Sequence, residues 1–306
     1  MSLEEMLKQA QDYTQDQKKY GYEITYPGME YGKNRKNFLN IIKRLKQVQL
    51  PDPSTFKYTS LSLSELKEYL SSILNKIFDR EFNTEITSFN RMITLESIPN
   101  CFDSVLESEV YNGVSIPKKI HISNKIKSIQ VASTAHEYMH ALLSPYVTYS
   151  FNQVLSNYHY KELLSILTEY VTIYEISEIL KLDDLQHKHE IIRLHNDQDN
   201  IKANEENKGL ISTLEMMNFS PFVIEGIKTC VEYGEHNAYG YVLSDIYAYR
   251  LFYFYKDDPK KLLTIWKSII HGEKSIQELL DYYGISLRDQ ETSLGFQKRL
   301  EKAVMK

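Results

Sequence analysis

The sequence predicts a mainly α-helical protein with one small antiparallel β-sheet. Apolar residues recur at helical spacing over residues 35–47 and 62–82, and Ser60 and Ser62 are candidate caps of the second helix. Between residues 85 and 123, short apolar segments alternate with Asn, Pro and Gly, which is typical of an antiparallel meander. We therefore expect an N-terminal helical region over residues 1–84, packed on a second domain over residues 85–306. One continuous domain over residues 1–306 is the alternative.

Composition and charge exclude several classes of protein. The 306 residues are 42% hydrophobic, which suffices for a substantial core, and the formal charge of -5 provides no basic surface for nucleic acid. No apolar segment is long enough to span a bilayer, and residues 1–20 lack a signal-peptide core. We therefore expect a cytoplasmic protein with no nucleic-acid partner and no membrane partner.

The most informative motif is the HExxH sequence at residues 136–140. Two imidazoles four residues apart lie on one helix face and can bind one metal ion, and the carboxylate between them is placed to act as a general base. On a helical wheel, the motif's two histidines and glutamate form one polar stripe with Ser133 on an otherwise apolar helix. Burying such groups without partners is costly, so the stripe predicts a metal site or a cleft. The alternative is a pair of core histidines satisfied by hydrogen bonds.

Candidates for a third metal ligand follow in a predicted helix over residues 161–182. Glu162 and Glu169 are seven residues apart and share a face, whereas Glu175 and Glu178 point to the far side and are better explained as a solvated stripe. Seven residues span about 10 Å of helix, so the first two carboxylates cannot both bind one ion. One of them is expected to bind the metal and the other to orient a histidine ring from behind.

The sequences TAHEYMHALL and ELLSILTEY together resemble the active-site motifs of the thimet oligopeptidase and oligoendopeptidase F family, in a shortened form. The resemblance implies a zincin-like catalytic domain with a helical two-lobed cleft and one zinc ion. It places the third ligand at Glu162, includes Ser165 in the pattern, and makes Glu169 the carboxylate that orients a histidine. The sequence departs from the family at Met139, where glycine is usual.

A third segment, residues 236–247, resembles the family's downstream block, in which a histidine and tyrosines reach the scissile carbonyl. Imidazole and phenol groups can donate hydrogen bonds to the oxyanion that forms during peptide hydrolysis. Tyr241 is the first candidate, followed by His236 and Tyr239. Ordinary aromatic packing is the alternative for each tyrosine in a chain that contains 24 of them.

These motifs predict a zinc-dependent metalloendopeptidase that cleaves short or unstructured peptides. His136, His140 and Glu162 would hold the ion, and Glu137 would act as the general base. Two alternatives remain open: a regulatory HExxH protease of another clan that cuts one protein partner, and a catalytically idle metallopeptidase fold that binds peptides.

Three further expectations concern the surroundings of the motif. Residues 110–123 are a candidate ledge for an extended substrate, because the edge strand of a sheet can pair with a peptide backbone. The polar segment with His187, His189 and His195 is expected to be an exposed helix and loop. Residues 202–209 are expected to form a loop.

Overall fold

The computed structural model describes residues 33–77, 94–98, 105–111, 114–143, 151–217, 240–255, 264–265, 282–285 and 290–304, and single residues at 220, 224, 228 and 280. Its helices are α1 (Lys33–Gln47), α2 (Leu63–Ile77), α3 (Gln130–Leu143), α4 (Phe151–Leu180), α5 (Leu185–Met216), α6 (240–255) and α7 (Gln290–Val304), with a 3-10 turn at Pro53–Thr55. The strands are β1 (Thr94–Ile98), β2 (Val105–Tyr111) and β3 (Val114–Ser123). These elements confirm the prediction of a mainly helical protein with a small sheet.

Helix α2 begins where the sequence predicts, because Ser62 and Glu65 form a capping box. The Ser62 hydroxyl accepts a hydrogen bond from the backbone N–H of Glu65, at 3.2 Å, and the Glu65 carboxylate accepts one from the backbone N–H of Ser62, at 2.7 Å. One face of α2 is buried and packs against α3 and α4. The segment before α2 also pairs with the segment before α3, through hydrogen bonds from Leu61 N to Ile126 O and from Ser128 N to Thr59 O. This pairing fixes where α3 starts.

The sheet has the strand order β1-β3-β2, with β3 in the middle. Strand β2 pairs with β3 in the antiparallel direction, and their register brings Tyr111 opposite Val114. Strand β1 pairs with β3 in the parallel direction, with Thr94 opposite Lys119. A register shift after Glu107 lies beside Pro117, whose nitrogen carries no hydrogen for the ladder.

The prediction of an antiparallel sheet is therefore wrong for β1. Strands β2 and β3 form an antiparallel hairpin. Strand β1 pairs with the other side of β3, and these two strands run in the same direction. The proposed ledge over residues 110–123 is also wrong for residues 119–121 of β3, because these residues pair with β1 on one side and with β2 on the other. Among the described strands, β1 and β2 are the edges, and β2 packs against α3.

Helix α3 packs against α4, and α4 packs in turn against α5. Helix α7 packs on α1 and α5, so the last described helix contacts the first one. One cluster of buried apolar side chains extends from Phe38 of α1 to Ala303 of α7. None of the helices that the structure describes is both long enough and apolar enough to cross a membrane.

Helix α5 corrects two expectations. It continues through residues 202–209, which were predicted to form a loop. That segment contains no proline, and its Lys, Ala and Glu residues favour a helix, so its two asparagines and Gly209 do not end α5. The first half of α5 buries His189, which was expected to be exposed but is 1% exposed, whereas His187 and His195 are only partly buried.

Candidate metal centre

Helix α3 presents the HExxH motif as the sequence predicts. Its apolar side is packed into the core, including Tyr138 and Met139, which are 3% and 0% exposed. The stripe on the other side is less covered: Glu137 and His140 are partly exposed, and His136 is 9% exposed. Two histidine rings and a carboxylate therefore line one side of an otherwise apolar helix.

Helix α4 brings Glu162 to these two histidines. Its Oε1 lies 3.3 Å from His140 Nε2 and its Oε2 lies 3.5 Å from His136 Nε2, while the two Nε2 atoms are 3.0 Å apart. Ligand atoms about 2.0–2.1 Å from a tetrahedral zinc ion are roughly 3.3 Å from one another. The three side chains therefore have a mutual spacing that suits three ligands of one metal ion, zinc among them. Three protein ligands leave the fourth position for water or substrate.

The outer nitrogen of each histidine has its own partner on α4. His136 Nδ1 lies 3.0 Å from Glu169 Oε2, and His140 Nδ1 lies 3.1 Å from the Ser165 hydroxyl. Because a carboxylate only accepts, His136 Nδ1 carries the proton and donates to Glu169. In the neutral ring, the lone pair of His136 is then on Nε2, which faces Glu162 and His140. The same tautomer follows for His140 when Ser165 accepts from its Nδ1.

The charges at this point favour a cation. Burial alone would lower the pKa of His136, but its contacts with Glu162 and Glu169 raise that pKa to about 10. Burial alone would raise the pKa of Glu162, but His140 and His136 hold it well below its usual range. Glu162 Oε2 is buried and accepts no hydrogen bond from the described residues. The residues therefore fit a divalent ion, which would take the place of the proton on His136.

A buried charged cluster lies behind Glu169. Glu169 Oε1 accepts a hydrogen bond from His189 Nε2 at 2.6 Å, and Arg193 Nη1 lies 3.6 Å from Glu169 Oε2. Burial would raise the pKa of Glu169, but the positive charge of Arg193 and the contact with His189 hold it well below its usual range. Both His189 and Arg193 come from α5.

Asp245 of α6 joins this cluster to the C-terminal helix. It accepts hydrogen bonds from Arg193 Nε at 3.2 Å and from the Tyr170 hydroxyl at 2.6 Å, and it pairs with Arg299 of α7. Arg299 is 1% exposed. Sequence reasoning gave these four residues no role, because they come from four different helices: Tyr170 and Asp245 lie within the segments that resemble the family, but no spacing joins them to Arg193 or Arg299.

Asp197 of α5 lies in the same buried region. Burial and the negative charge of Asp245 raise the pKa of Asp197 well above its usual range. The pKa of Asp245 moves the other way: burial would raise it, but Arg299 and Arg193 lower it. The buried surroundings therefore disfavour the charged form of Asp197 and stabilise the charged form of Asp245.

The remaining predicted residues have different outcomes. Glu178 is exposed as expected. Glu175 is instead buried, accepts a hydrogen bond from Tyr255 and pairs with Lys76. The expectation of a solvated stripe is therefore wrong for Glu175. Tyr241 lies at the start of α6, is partly buried and packs against the hydrophobic core. His236 and Tyr239 lie outside the described residues.

Comparisons with known proteins give one likeness of fold. Neither a protein-family model nor a curated protein matches the chain. The crystal structure of a proposed oligoendopeptidase F from Bacillus anthracis strain Ames superimposes with a TM-score of 0.53 at 15% sequence identity. The superposition covers 97% of this chain and 55% of that one, so the chain spans about half the length of the solved structure. At this identity the likeness shows that the two chains share a fold.

Proposed function

We propose that the protein is a zinc-dependent metalloendopeptidase that hydrolyses peptide bonds in short or unstructured peptides. The observation that carries this proposal is the triangle of two imidazole nitrogens and a carboxylate, with separations of 3.0–3.5 Å, beside Glu137. The fold shared with an oligoendopeptidase-like structure supports the same class of reaction. We assign His136, His140 and Glu162 as the ligands of one zinc ion and Glu169 as the carboxylate that orients His136.

Zinc bound there would polarise the scissile carbonyl and lower the pKa of the attacking water. Glu137 occupies the same stripe of α3 as the two histidines and is partly exposed, so it can exchange protons with a bound substrate. It takes the proton from the attacking water and returns it to the leaving amine. Tyr241 donates a hydrogen bond to the developing oxyanion, and His236 and Tyr239 are the further candidates for this role.

Strand β2 is the best candidate for binding the substrate backbone. It is an edge of the sheet among the described strands, and it packs against α3, which carries the motif. An extended peptide can add to such an edge through main-chain hydrogen bonds. We therefore place the substrate along residues 105–111 rather than along β3.

The test of the general base is the Glu137→Gln variant, assayed with a quenched fluorescent peptide library. We expect wild-type zinc content and no measurable turnover, because the amide cannot accept the proton. Glu178→Gln is the matched control: it makes the same chemical change at an exposed position of α4 and should retain full activity. Peptide cleavage by Glu137→Gln at the wild-type rate would refute the assignment.

Tyr241→Phe tests the oxyanion donor and separates the oligopeptidase-like reading from other HExxH proteases. Loss of one such donor typically lowers kcat by about 10²- to 10³-fold. We expect a fall of that order with zinc content unchanged. An unchanged kcat would transfer the role to His236 or Tyr239, or favour a protease of another clan.

A further inference from the structure

A chain of alternating charges runs through the buried interior, from the candidate metal centre to the C-terminal helix. It begins at His136, passes through Glu169 to Arg193, and continues through Asp245 to Arg299. The last four residues are each at most 8% exposed. Burying so many charges is expensive, and well-packed apolar residues would often give equal stability. The cluster therefore calls for an explanation beyond stability.

The point of contact between the cluster and the metal centre is the carboxylate of Glu169. Its Oε2 accepts from His136 Nδ1 at 3.0 Å, and its Oε1 accepts from His189 Nε2 at 2.6 Å. A carboxylate held at one oxygen alone can rotate about its last bond, whereas one held at both oxygens has a fixed plane. The hydrogen bond from His189 therefore determines the direction in which Glu169 meets His136.

His189 is itself held in place. Its ring packs edge to face on Tyr170, with the ring centroids 5.2 Å apart and the planes at 88°. Tyr170 is anchored in turn, because its hydroxyl donates to Asp245 at 2.6 Å. The imidazole is almost fully buried, so no water competes for its contact with Glu169.

Arg193 contacts the same carboxylate of Glu169. Its Nη1 lies 3.6 Å from Glu169 Oε2, and its Nε donates to Asp245 at 3.2 Å, so the guanidinium lies between two carboxylates. Asp245 also pairs with Arg299, so carboxylates and guanidinium groups alternate from Glu169 to Arg299. Arg193 is therefore held in place by Asp245 while it contacts Glu169.

We propose that His189 and Arg193 are positioning residues of the metal centre: by fixing Glu169 they hold His136 in the tautomer and orientation that bind zinc. This inference rests on the proposed zinc site, but it goes beyond the HExxH and ExxSxxxE motifs to residues of α5. Partners that orient a metal-bound histidine change metal affinity by about 10- to 100-fold. Because His189 acts one step further out, we expect its loss to weaken zinc binding by about tenfold, at the lower end of that range.

The test measures the zinc dissociation constant of the full chain by competition with a chromophoric chelator. His189→Leu should raise the constant by about tenfold. His189→Gln should stay close to wild type, because its amide retains an N–H donor for Glu169. His195→Leu is the matched control: His195 also lies on α5, but its Nε2 bonds the carbonyl of Pro51, at 2.8 Å and away from the metal centre, so zinc affinity should not change.

A double-mutant cycle separates positioning from a general loss of structure. In a Glu169→Ala background, His189→Leu should have no further effect on the zinc constant, because the side chain through which it acts is gone. If His189→Leu does not fold, His189→Asn takes its place, since its amide is too short to reach Glu169, and the same loss is expected.

Three outcomes would overturn the inference. In the first, His189→Leu and His195→Leu have equal effects on zinc affinity; in the second, the effect of His189→Leu persists without Glu169. In the third, the wild-type chain binds no zinc, which would overturn the proposed metal centre as well. Zinc binding that depends on His189, in a protein that cuts no peptide, would instead support this inference and refute the proposed function.

Discussion

Replacing Glu162 and Glu169 one at a time should separate a metal ligand from a residue that orients one. The two oxygens of Glu162 face the Nε2 atoms of the histidines: Oε1 lies 3.3 Å from that of His140, and Oε2 lies 3.5 Å from that of His136. Glu169 instead contacts Nδ1 of His136, at 3.0 Å, on the opposite side of the ring. Glu169 therefore cannot reach an ion bound at Nε2 of the same ring. Although the two carboxylates share a helix face, we therefore propose different roles for them.

The expected magnitudes follow from these positions. Glu169→Ala removes a partner of a ligand and should weaken zinc binding by about 10- to 100-fold, or about 1.4–2.7 kcal/mol. Glu162→Ala removes one of three donor atoms and the charge that goes with it, so its effect should exceed about 100-fold. Glu178→Ala, at an exposed position of the same helix, should leave zinc affinity unchanged.

The assay is metal analysis after gel filtration, together with a chelator competition that gives the dissociation constant of each variant. We expect zinc to be lost from Glu162→Ala and to be retained, more weakly, by Glu169→Ala. The reasoning is refuted if Glu169→Ala loses zinc while Glu162→Ala keeps it, because Glu169 would then be the third ligand.

Three further predictions concern stability. Met139→Ala removes a fully buried side chain and should lower the free energy of unfolding by about 2–5 kcal/mol in urea denaturation; an effect under about 1 kcal/mol would contradict the packing of α3. Asp245→Asn removes the negative charge that pairs with Arg193 and Arg299, and it should lower the free energy of unfolding by about 3–5 kcal/mol in the same assay. An unchanged free energy of unfolding would contradict the buried ion pairs of Asp245. The raised pKa of Asp197 means that its contribution to stability is complete below its unfolded pKa of 3.8 and is lost as the pH rises towards its folded pKa. Asp197→Asn should therefore gain stability relative to wild type as the pH is raised from 4 to 7, as measured by thermal unfolding, and a constant difference would show that the pKa is not raised.

The parts of the structure that depend on local sequence could be predicted. The capping box at Ser62 and the polar stripe of α3 follow from the order of residues along one helix, so sequence spacing is enough to find them. The shared face of Glu162 and Glu169 follows from helix geometry in the same way. Spacing alone does not decide which of these two glutamates contacts the Nε2 atoms of the histidines, because that contact depends on how α4 packs against α3.

The parts that depend on distant segments could not be predicted in the same way. The parallel pairing of β1 with β3 joins strands that are not consecutive, and no local pattern specifies its direction. The contact of His189 with Glu169 joins two helices. One signal for it was available: on α5 every fourth residue from 185 to 201 is buried, namely Leu185, His189, Arg193, Asp197 and Ile201. Ionisable groups on the same stripe as two apolar residues predict a buried polar cluster.

The most direct test of the metal centre is a crystal structure of the zinc-soaked protein with anomalous diffraction data collected at the zinc edge. We predict one anomalous peak about 2.0–2.2 Å from His136 Nε2, His140 Nε2 and an oxygen of Glu162, with Glu169 still bonded to His136 Nδ1. The absence of a peak there, or a peak that only one of the three side chains contacts, would contradict the proposal that this protein is a zinc peptidase.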